Sequence, residues 1–356
     1  MNSAISIILR LKAAGATLWR NHGNIHFSAP RGVLTSEVLL SLRQKRAEIL
    51  PLLPDGPDTA SHTAQTPNIV RLDAGPAGRR VFCIHPIDGG IEAYFHLARE
   101  LASRGVSTHG ICAFDFTTRR YIPDRVPAIA ARYVEQVKHL QKRGPYLLAG
   151  WSSGAIIALE MGCELARHHN EVAEVNLLDP PPVSDHTLAE LPPAHRDFPG
   201  ARTKSAWLWW RFMQLNIAAD ECRLATDFWS MDDSAKCRYL FENRDNPQVV
   251  RPGNALLAAH DSDDVLYMFH TVMIQFTALE DYEPARFPGA VNLFITIAEN
   301  EPSTGIAHER LQHARSFWEN KVGAIADLQW VPGNHMAVLR PPHVASVAGA
   351  IARDRS

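Results

Sequence analysis

Gly150-Trp151-Ser152-Ser153-Gly154 is a G-x-S-x-G sequence. It follows the apolar run Tyr146-Leu-Leu-Ala149 and precedes Ala155-Ile-Ile-Ala-Leu-Glu-Met161. A strand, a sharp turn and a helix are expected in that order, which is the setting a nucleophile elbow requires. The glycines let the backbone pack tightly, Ser152 projects its hydroxyl above the sheet edge, and the helix turns its amides and positive dipole toward the same point. The chemistry implied is acyl transfer through a serine ester. A serine hydroxyl is a poor nucleophile until a base takes its proton. Among 17 histidines, position selects His335, in Val331-Pro-Gly-Asn-His335-Met336 after the strand-like run Asp327–Trp330, late in the chain as the order serine, acid, histidine demands. The acid that orients the imidazole has two candidates. Asp179 ends Val175-Asn-Leu-Leu-Asp179, where Pro180-Pro-Pro182 stops the strand; Glu299 or Glu301 follows Val291–Ala298. The residue pattern leaves that choice open. Two backbone N–H groups are needed for the oxyanion. Ser153 supplies one, and Ile87, in Phe82-Cys-Ile-His85-Pro86-Ile87-Asp88-Gly89-Gly90, supplies the other. Asp88 beside it is awkward, because a carboxylate opposes an oxyanion by like charge. Either it points away and caps a helix beginning near Ile91, or it holds a cationic amine of the substrate or of an incoming nucleophile. Trp151, next to the nucleophile, is a candidate substrate contact.

These groups need a rigid frame, and residues 69–356 provide the signals for one. Strand-like runs at Arg80–Ile84, Thr108–Ala113, Tyr146–Gly150, Val172–Leu178, Val291–Ala298 and Asp327–Val331 alternate with helical stretches near 92–104, 127–142, 154–168, 306–321 and 343–352. That alternation predicts an α/β fold with a mostly parallel sheet. It breaks between about 183 and 285, a helical region with aromatics at Trp207, Trp209, Trp210, Phe212, Phe228 and Trp229. An insertion of this size is expected to form a lid, its tryptophans reading as core. Cys83 and Cys112 also read as core. Residues 54–68, rich in Pro, Asp, Gly, Ser and Thr, form a flexible linker. Ahead of it, residues 1–53 read as a small α+β unit. A helix over 3–14 ends at Gly15, two short strands (Thr17–Arg20, Asn24–Phe27) turn at His22-Gly23, and Thr35 or Ser36 caps the first of two further helical stretches. The hairpin leaves a strand edge that a partner's extended segment could pair with.

Bulk composition excludes several classes. With 356 residues, 46% apolar and 21% charged, at a net charge of −2, the chain is an ordinary globular one without the basic footprint of nucleic-acid binding. Five cysteines with no C-x-x-C pair read as reduced thiols of a cytoplasmic protein. No run reaches the length of a membrane span. Arg10 and Lys12 cut short the apolar start at Ile5–Leu9, which speaks against a signal peptide.

Two resemblances cover the chain. Leu11-Lys-Ala-Ala-Gly-Ala-Thr-Leu-Trp19, Gly23-Asn-Ile-His-Phe27, Ala29-Pro-Arg-Gly32, Leu34-Thr35 and Lys45-Arg-Ala-Glu-Ile-Leu50 resemble the tubulysin-type N-terminal docking domain of nonribosomal peptide synthetases, over residues 2–53. That resemblance implies that the hairpin receives the C-terminal tail of an upstream synthetase subunit. The large domain resembles the thioesterase domains that release products from nonribosomal peptide and polyketide synthases. The matching residues are Phe82-Cys-Ile-His-Pro-Ile87, Tyr94-Phe-His-Leu-Ala98, Gly150-Trp-Ser-Ser-Gly154, Ala158-Leu-Glu-Met161, Leu177-Leu-Asp-Pro-Pro181, Trp318 and Val331-Pro-Gly-Asn-His-Met336. Ala155 departs from the second glycine common there. The resemblance implies an α/β-hydrolase fold with a helical lid. It favours Asp179, 27 residues after Ser152, over Glu299. It further implies a substrate delivered on the phosphopantetheine arm of a partner carrier protein, with no metal or dissociable cofactor. Releasing thioesterases usually follow their carrier on one chain, whereas here a docking module stands in its place. The expectation is therefore off-loading in trans. An editing thioesterase, a general esterase and a non-catalytic docking scaffold are the alternatives, and hydrolysis, macrocyclisation and intermolecular transfer stay open.

Overall fold

The structure is a computed structural model. It describes residues 7–8, 11, 14, 16–21, 24–29, 33–53, 68–73, 78–116, 118–181, 204–218, 222–252, 254–280, 282–297, 312 and 315–353. The linker up to residue 67, the turn at His22-Gly23, Glu299 and Glu301, the 183–203 part of the expected lid and the 306–311 part of an expected helix lie outside the described residues.

At the N-terminal end, β1 (Thr17–Asn21) pairs antiparallel with β2 (Asn24–Ser28), Leu18 opposite Phe27. Leu18 is buried and Ile25 half-buried, but Phe27 is 42% exposed, so the expected apolar alternation holds at Leu18 and leaves most of β2 open. Helix α1 (Ser36–Gln44) starts at Thr35, whose hydroxyl accepts the Val38 amide at 3.3 Å. This satisfies one of the orphan N–H groups of the first turn.

The large domain is built on a seven-stranded sheet of order β3-β5-β4-β6-β7-β8-β9. The strands are β3 (Ile69–Arg71), β4 (Arg79–Ile84), β5 (Val106–Ile111), β6 (Tyr146–Trp151), β7 (Val172–Leu178), β8 (Phe287–Ile297) and β9 (Val322–Pro332). All neighbours are parallel except β3, which runs antiparallel on β5 at the edge. The central strand β6 is a continuous apolar run because helices cover both faces of the sheet, and every residue of it is buried. Covering helices include α2 (Phe95–Ala102), α3 (Val126–Leu140), α4 (Ser153–Arg167) and α8 (Val344–Ala352). Helix α4, between β6 and β7, is buried over most of its length. Between β7 and β8 lie α5 (Lys204–Asn216), α6 (Asp233–Glu242) and α7 (Ser262–Glu280). Trp209 stacks on Phe269 with ring centroids 3.8 Å apart, and Trp209, Phe212 and Phe228 are buried, so these aromatics serve as the core of that segment. Cys83 and Cys112 are buried, and burial pushes both thiols above their ordinary range. Among the described residues no helix is long and apolar enough to cross a membrane.

Strand order brings β4, β6, β7, β8 and β9 side by side. Parallel strands present their carboxyl ends at one edge, where α/β sheets place their sites.

Candidate active site

Ser152 stands where β6 gives way to α4, with φ 57° and ψ −131°. A non-glycine residue rarely adopts that backbone, and the surroundings must hold it there. Two glycines allow this. A Cβ on Gly150 would lie 2.1 Å from the Gly154 carbonyl oxygen, and one on Gly154 would lie 2.4 Å from the Ile84 oxygen. The elbow therefore nests against β4 backbone to backbone. The Tyr94 hydroxyl ties the two strands together, donating to the Ile84 carbonyl at 2.5 Å and accepting the Trp151 amide at 2.7 Å. The Ser152 amide donates to Leu178 on β7 at 2.9 Å.

Asp179 follows β7 with φ 46°, a left-handed conformation that Asp tolerates better than most residues. Its carboxylate accepts three hydrogen bonds: the Thr296 amide (2.8 Å) on one oxygen, the Thr296 hydroxyl (2.7 Å) and His335 Nδ1 (2.5 Å) on the other. His335 sits in the tight turn after β9, where Gly333, at φ 108°, donates to the Ile297 carbonyl at 2.6 Å. Because a carboxylate only accepts, Nδ1 must carry a proton, and in the neutral ring Nε2 is then the nitrogen with the lone pair. The Trp151 ring stacks on the imidazole (centroids 4.8 Å, planes at 28°), and its Nε1 donates to the His335 carbonyl at 3.1 Å. Trp151 is thus buried against the histidine, with only 6% of its surface exposed for a substrate to touch. Among the described residues no hydrogen bond joins the Ser152 hydroxyl to His335.

Neither the Ile87 amide, in the loop after β4, nor the Ser153 amide, at the start of α4, donates to a backbone carbonyl among the described residues. Asp88 accepts the Gly90 amide at 3.0 Å, closing a local turn instead of capping the helix that follows. The first helical turn there (Glu92–Tyr94) has no side-chain cap, and the Ile91 amide goes to Glu92 at 2.9 Å. Burial, and then the Glu92 charge, push the Asp88 carboxyl up to about 6 against the opposing pull of the Gly90 bond. His85 is buried, with Nδ1 at 2.9 Å from the Pro86 carbonyl and Nε2 at 2.7 Å from the Tyr133 hydroxyl. Burial lowers its pKa to about 4, so the ring is neutral at pH 7.

Ser152, Ser153, Asp179, His335, Ile87, Asp88 and Trp151 therefore all lie at the carboxyl ends of neighbouring strands. Tyr94 and Thr296 complete the site without having been foreseen. Both lay inside runs that the sequence marks, Tyr94 in Tyr94–Ala98 and Thr296 in Val291–Ala298.

The thioesterase-domain family model matches residues 79–354, and that of the TubC N-terminal docking domain matches residues 5–54. Aspulvinone E synthetase melA of Aspergillus terreus is 22% identical over 276 residues, covering 78% of this chain and 28% of its own length. The dimodular nonribosomal peptide synthase of Bacillus subtilis is 30% identical over 219 residues, covering 60% of this chain and 8% of its own. The chain spans less than a third of the length of either relative. Among solved structures, a four-domain nonribosomal peptide synthetase bound to AMP and glycine aligns with a TM-score of 0.57 at 18% identity, over 80% of this chain and 20% of that one. A Vlm2 thioesterase domain bound with a dodecadepsipeptide aligns with a TM-score of 0.52 at 20% identity, over 80% and 97%. At such identities the structural likeness speaks for the fold.

Proposed function

This chain belongs to the thioesterase-domain family and carries a TubC-type docking domain ahead of it, and from that premise we propose that it off-loads an acyl or peptidyl group from a carrier protein through an ester on Ser152. The observation that carries the reading is the His335–Asp179 pair at 2.5 Å, with Asp179 presented at the end of β7, which adjoins the strand that ends at the strained Ser152.

A partner's carrier protein delivers the thioester on its phosphopantetheine arm. His335 Nε2 takes the Ser152 proton as Oγ bonds to the carbonyl carbon, and the carbonyl electron pair moves onto oxygen. The Ile87 and Ser153 amides hold that oxyanion. The pair returns, the C–S bond breaks, and the proton on His335 passes to the departing thiol. Asp179 stabilises the imidazolium that exists between those steps. In the second half, water or an amine or hydroxyl attacks the ester with the same proton traffic. Water yields a free acid, and an internal nucleophile yields a ring. The Ser152–His335 contact closes when substrate binds, as catalytic hydrogen bonds that are long in the ligand-free site commonly do.

The docking domain supports action in trans. The 24 residues between the two matched regions, 55–78, are too few for a folded carrier, since domains below roughly 40 residues rarely stand alone. Residues 1–53 receive the tail of an upstream synthetase subunit, and a cytoplasmic location accords with such a partner. The test is to load the upstream carrier and identify the released product by mass spectrometry, with a fluorophosphonate to label Ser152. Labelling elsewhere, or turnover surviving Ser152→Ala, overturns the serine reading. Equal rates on the cognate carrier with and without residues 1–53 overturn docking. Release confined to short misloaded acyl groups would instead mark an editing enzyme.

A further inference from the structure

Gln275, on α7, is fully buried among the described residues, 122 residues from the elbow it touches. Its Nε2 lies 3.2 Å from the Pro86 carbonyl oxygen and 3.5 Å from the Ser153 hydroxyl. Its Oε1 is buried without a hydrogen-bond partner among the described residues. The amide cannot be turned over, because Pro86 oxygen is an acceptor and must meet the NH2 end. A side chain kept only to fill space would be apolar here, since an unmatched buried amide oxygen is destabilising.

The Pro86 carbonyl accepts from three donors: His85 Nδ1 at 2.9 Å, the Gly89 amide at 3.0 Å and Gln275 Nε2 at 3.2 Å. That carbonyl shares a peptide plane with the Ile87 N–H. In a trans peptide the two groups point in opposite directions, and the plane moves as one rigid body. Fixing the oxygen therefore aims the Ile87 amide, and loading the oxygen with donors polarises the plane and strengthens its N–H as a donor. Burial keeps His85 neutral, so its protonated Nδ1 is a constant member of the set.

We propose that Gln275 is a positioning residue for the oxyanion hole: from α7 it pins the Pro86–Ile87 peptide, with His85, and braces Ser153, the residue that carries the second amide. This rests on the reading that the Ile87 and Ser153 amides hold the oxyanion. The inserted helical segment between β7 and β8 thus acts on the chemistry beneath it through the Pro86–Ile87 peptide, by one amide group.

The test uses the full chain with a soluble acyl thioester, comparing wild type, Gln275→Met, Gln275→Glu and Ser152→Ala. Gln275→Met keeps the length and removes both donors. Loss of a whole oxyanion donor lowers kcat on the order of 100–1,000-fold, so a misaimed one should lower it about 10-fold. KM should stay within about 2-fold, because the ground-state carbonyl uses the amides less than the transition state does. Inhibition by an alkyl boronic acid, whose serine adduct is a tetrahedral anion, should weaken by the same factor as kcat. Gln275→Glu tests the donor if the Met variant fails to fold. Its protonated carboxyl can still donate to Pro86, and burial raises its pKa. Its activity should therefore fall as pH rises along a limb that wild type lacks, with circular dichroism unchanged. Unaltered kcat and boronate affinity in Gln275→Met, or a wild-type pH profile in Gln275→Glu, overturns the proposal. Turnover surviving in Ser152→Ala would instead overturn the serine reading beneath it, so the two failures are distinguishable.

Discussion

Replacing Asp179 by Asn tests the candidate site at its most constrained point. One carboxylate oxygen accepts the Thr296 amide; the other accepts the Thr296 hydroxyl and His335 Nδ1. An asparagine must put its oxygen on one side and its NH2 on the other. With the NH2 toward Thr296, two N–H donors face each other, a conflict worth about 1–2 kcal/mol for a group left unpaired. The oxygen therefore stays with the Thr296 amide, and the NH2 turns to His335. There it can donate only to an unprotonated Nδ1, which forces the proton onto Nε2, the nitrogen that must accept from Ser152. The loss of charge adds to this. The His335 side chain is 46% exposed, so the pair is well screened. At an effective dielectric of about 40 and about 3.5 Å between charge centres, the carboxylate stabilises an imidazolium by about 2–3 kcal/mol. The two effects sum to about 4 kcal/mol of barrier, roughly a thousandfold in kcat. The measurement is stopped-flow acylation with a chromogenic thioester, with circular dichroism to verify folding. A kcat within about 3-fold of wild type would refute the reasoning and return the acid to Glu299 or Glu301, where substitution to Gln would then be the damaging change.

Two further outcomes follow from the same geometry. Gly154→Ala sets a methyl 2.4 Å from the Ile84 oxygen and 2.6 Å from the His85 oxygen, both backbone atoms that cannot swing aside. Denaturant melts should show a loss of at least about 1–3 kcal/mol together with loss of turnover, and a stable, active variant would contradict the nested elbow. Asp88, held up at about 6, binds its proton more tightly folded than unfolded, so stability should decline as pH rises from about 4 to 6 and then level off. Asp88→Asn keeps an acceptor for Gly90 and removes that decline. It should gain about 1–2 kcal/mol above pH 6, after discounting for solvent screening, and nothing below pH 4; a gain independent of pH would contradict the assignment.

What the chain discloses before folding depends on how far apart the interacting atoms lie in sequence. The elbow is legible because every element of it falls within residues 146–161: the apolar strand, the two close-approach glycines and the helix all act locally. The β7 bounds, Val172–Leu178, follow from a mostly apolar run, broken only by Glu174 and Asn176 and followed by Pro180. Expectation drifts where local signals conflict with tertiary pairing. Strand β8 starts at Phe287, four residues before the expected Val291, because Pro288 and Gly289 read as a turn but sit in a register shift against β9. Strand β3 is three residues long, too short for any periodicity, and exists because β5 offers it an antiparallel edge. The acid shows the limit most sharply. Asp179 and the Glu299/Glu301 pair both follow apolar strands, and nothing near either one distinguishes them. The Thr296 amide and hydroxyl, 117 residues away, complete the Asp179 carboxylate. Gln275 is still less visible, a polar residue inside a long apolar helix whose partner is a proline carbonyl 189 residues distant. A polar side chain on a buried helical face, left with one orphan atom among the described residues, is the physical trace of such a role, and only its burial in the folded chain separates it from an ordinary surface glutamine.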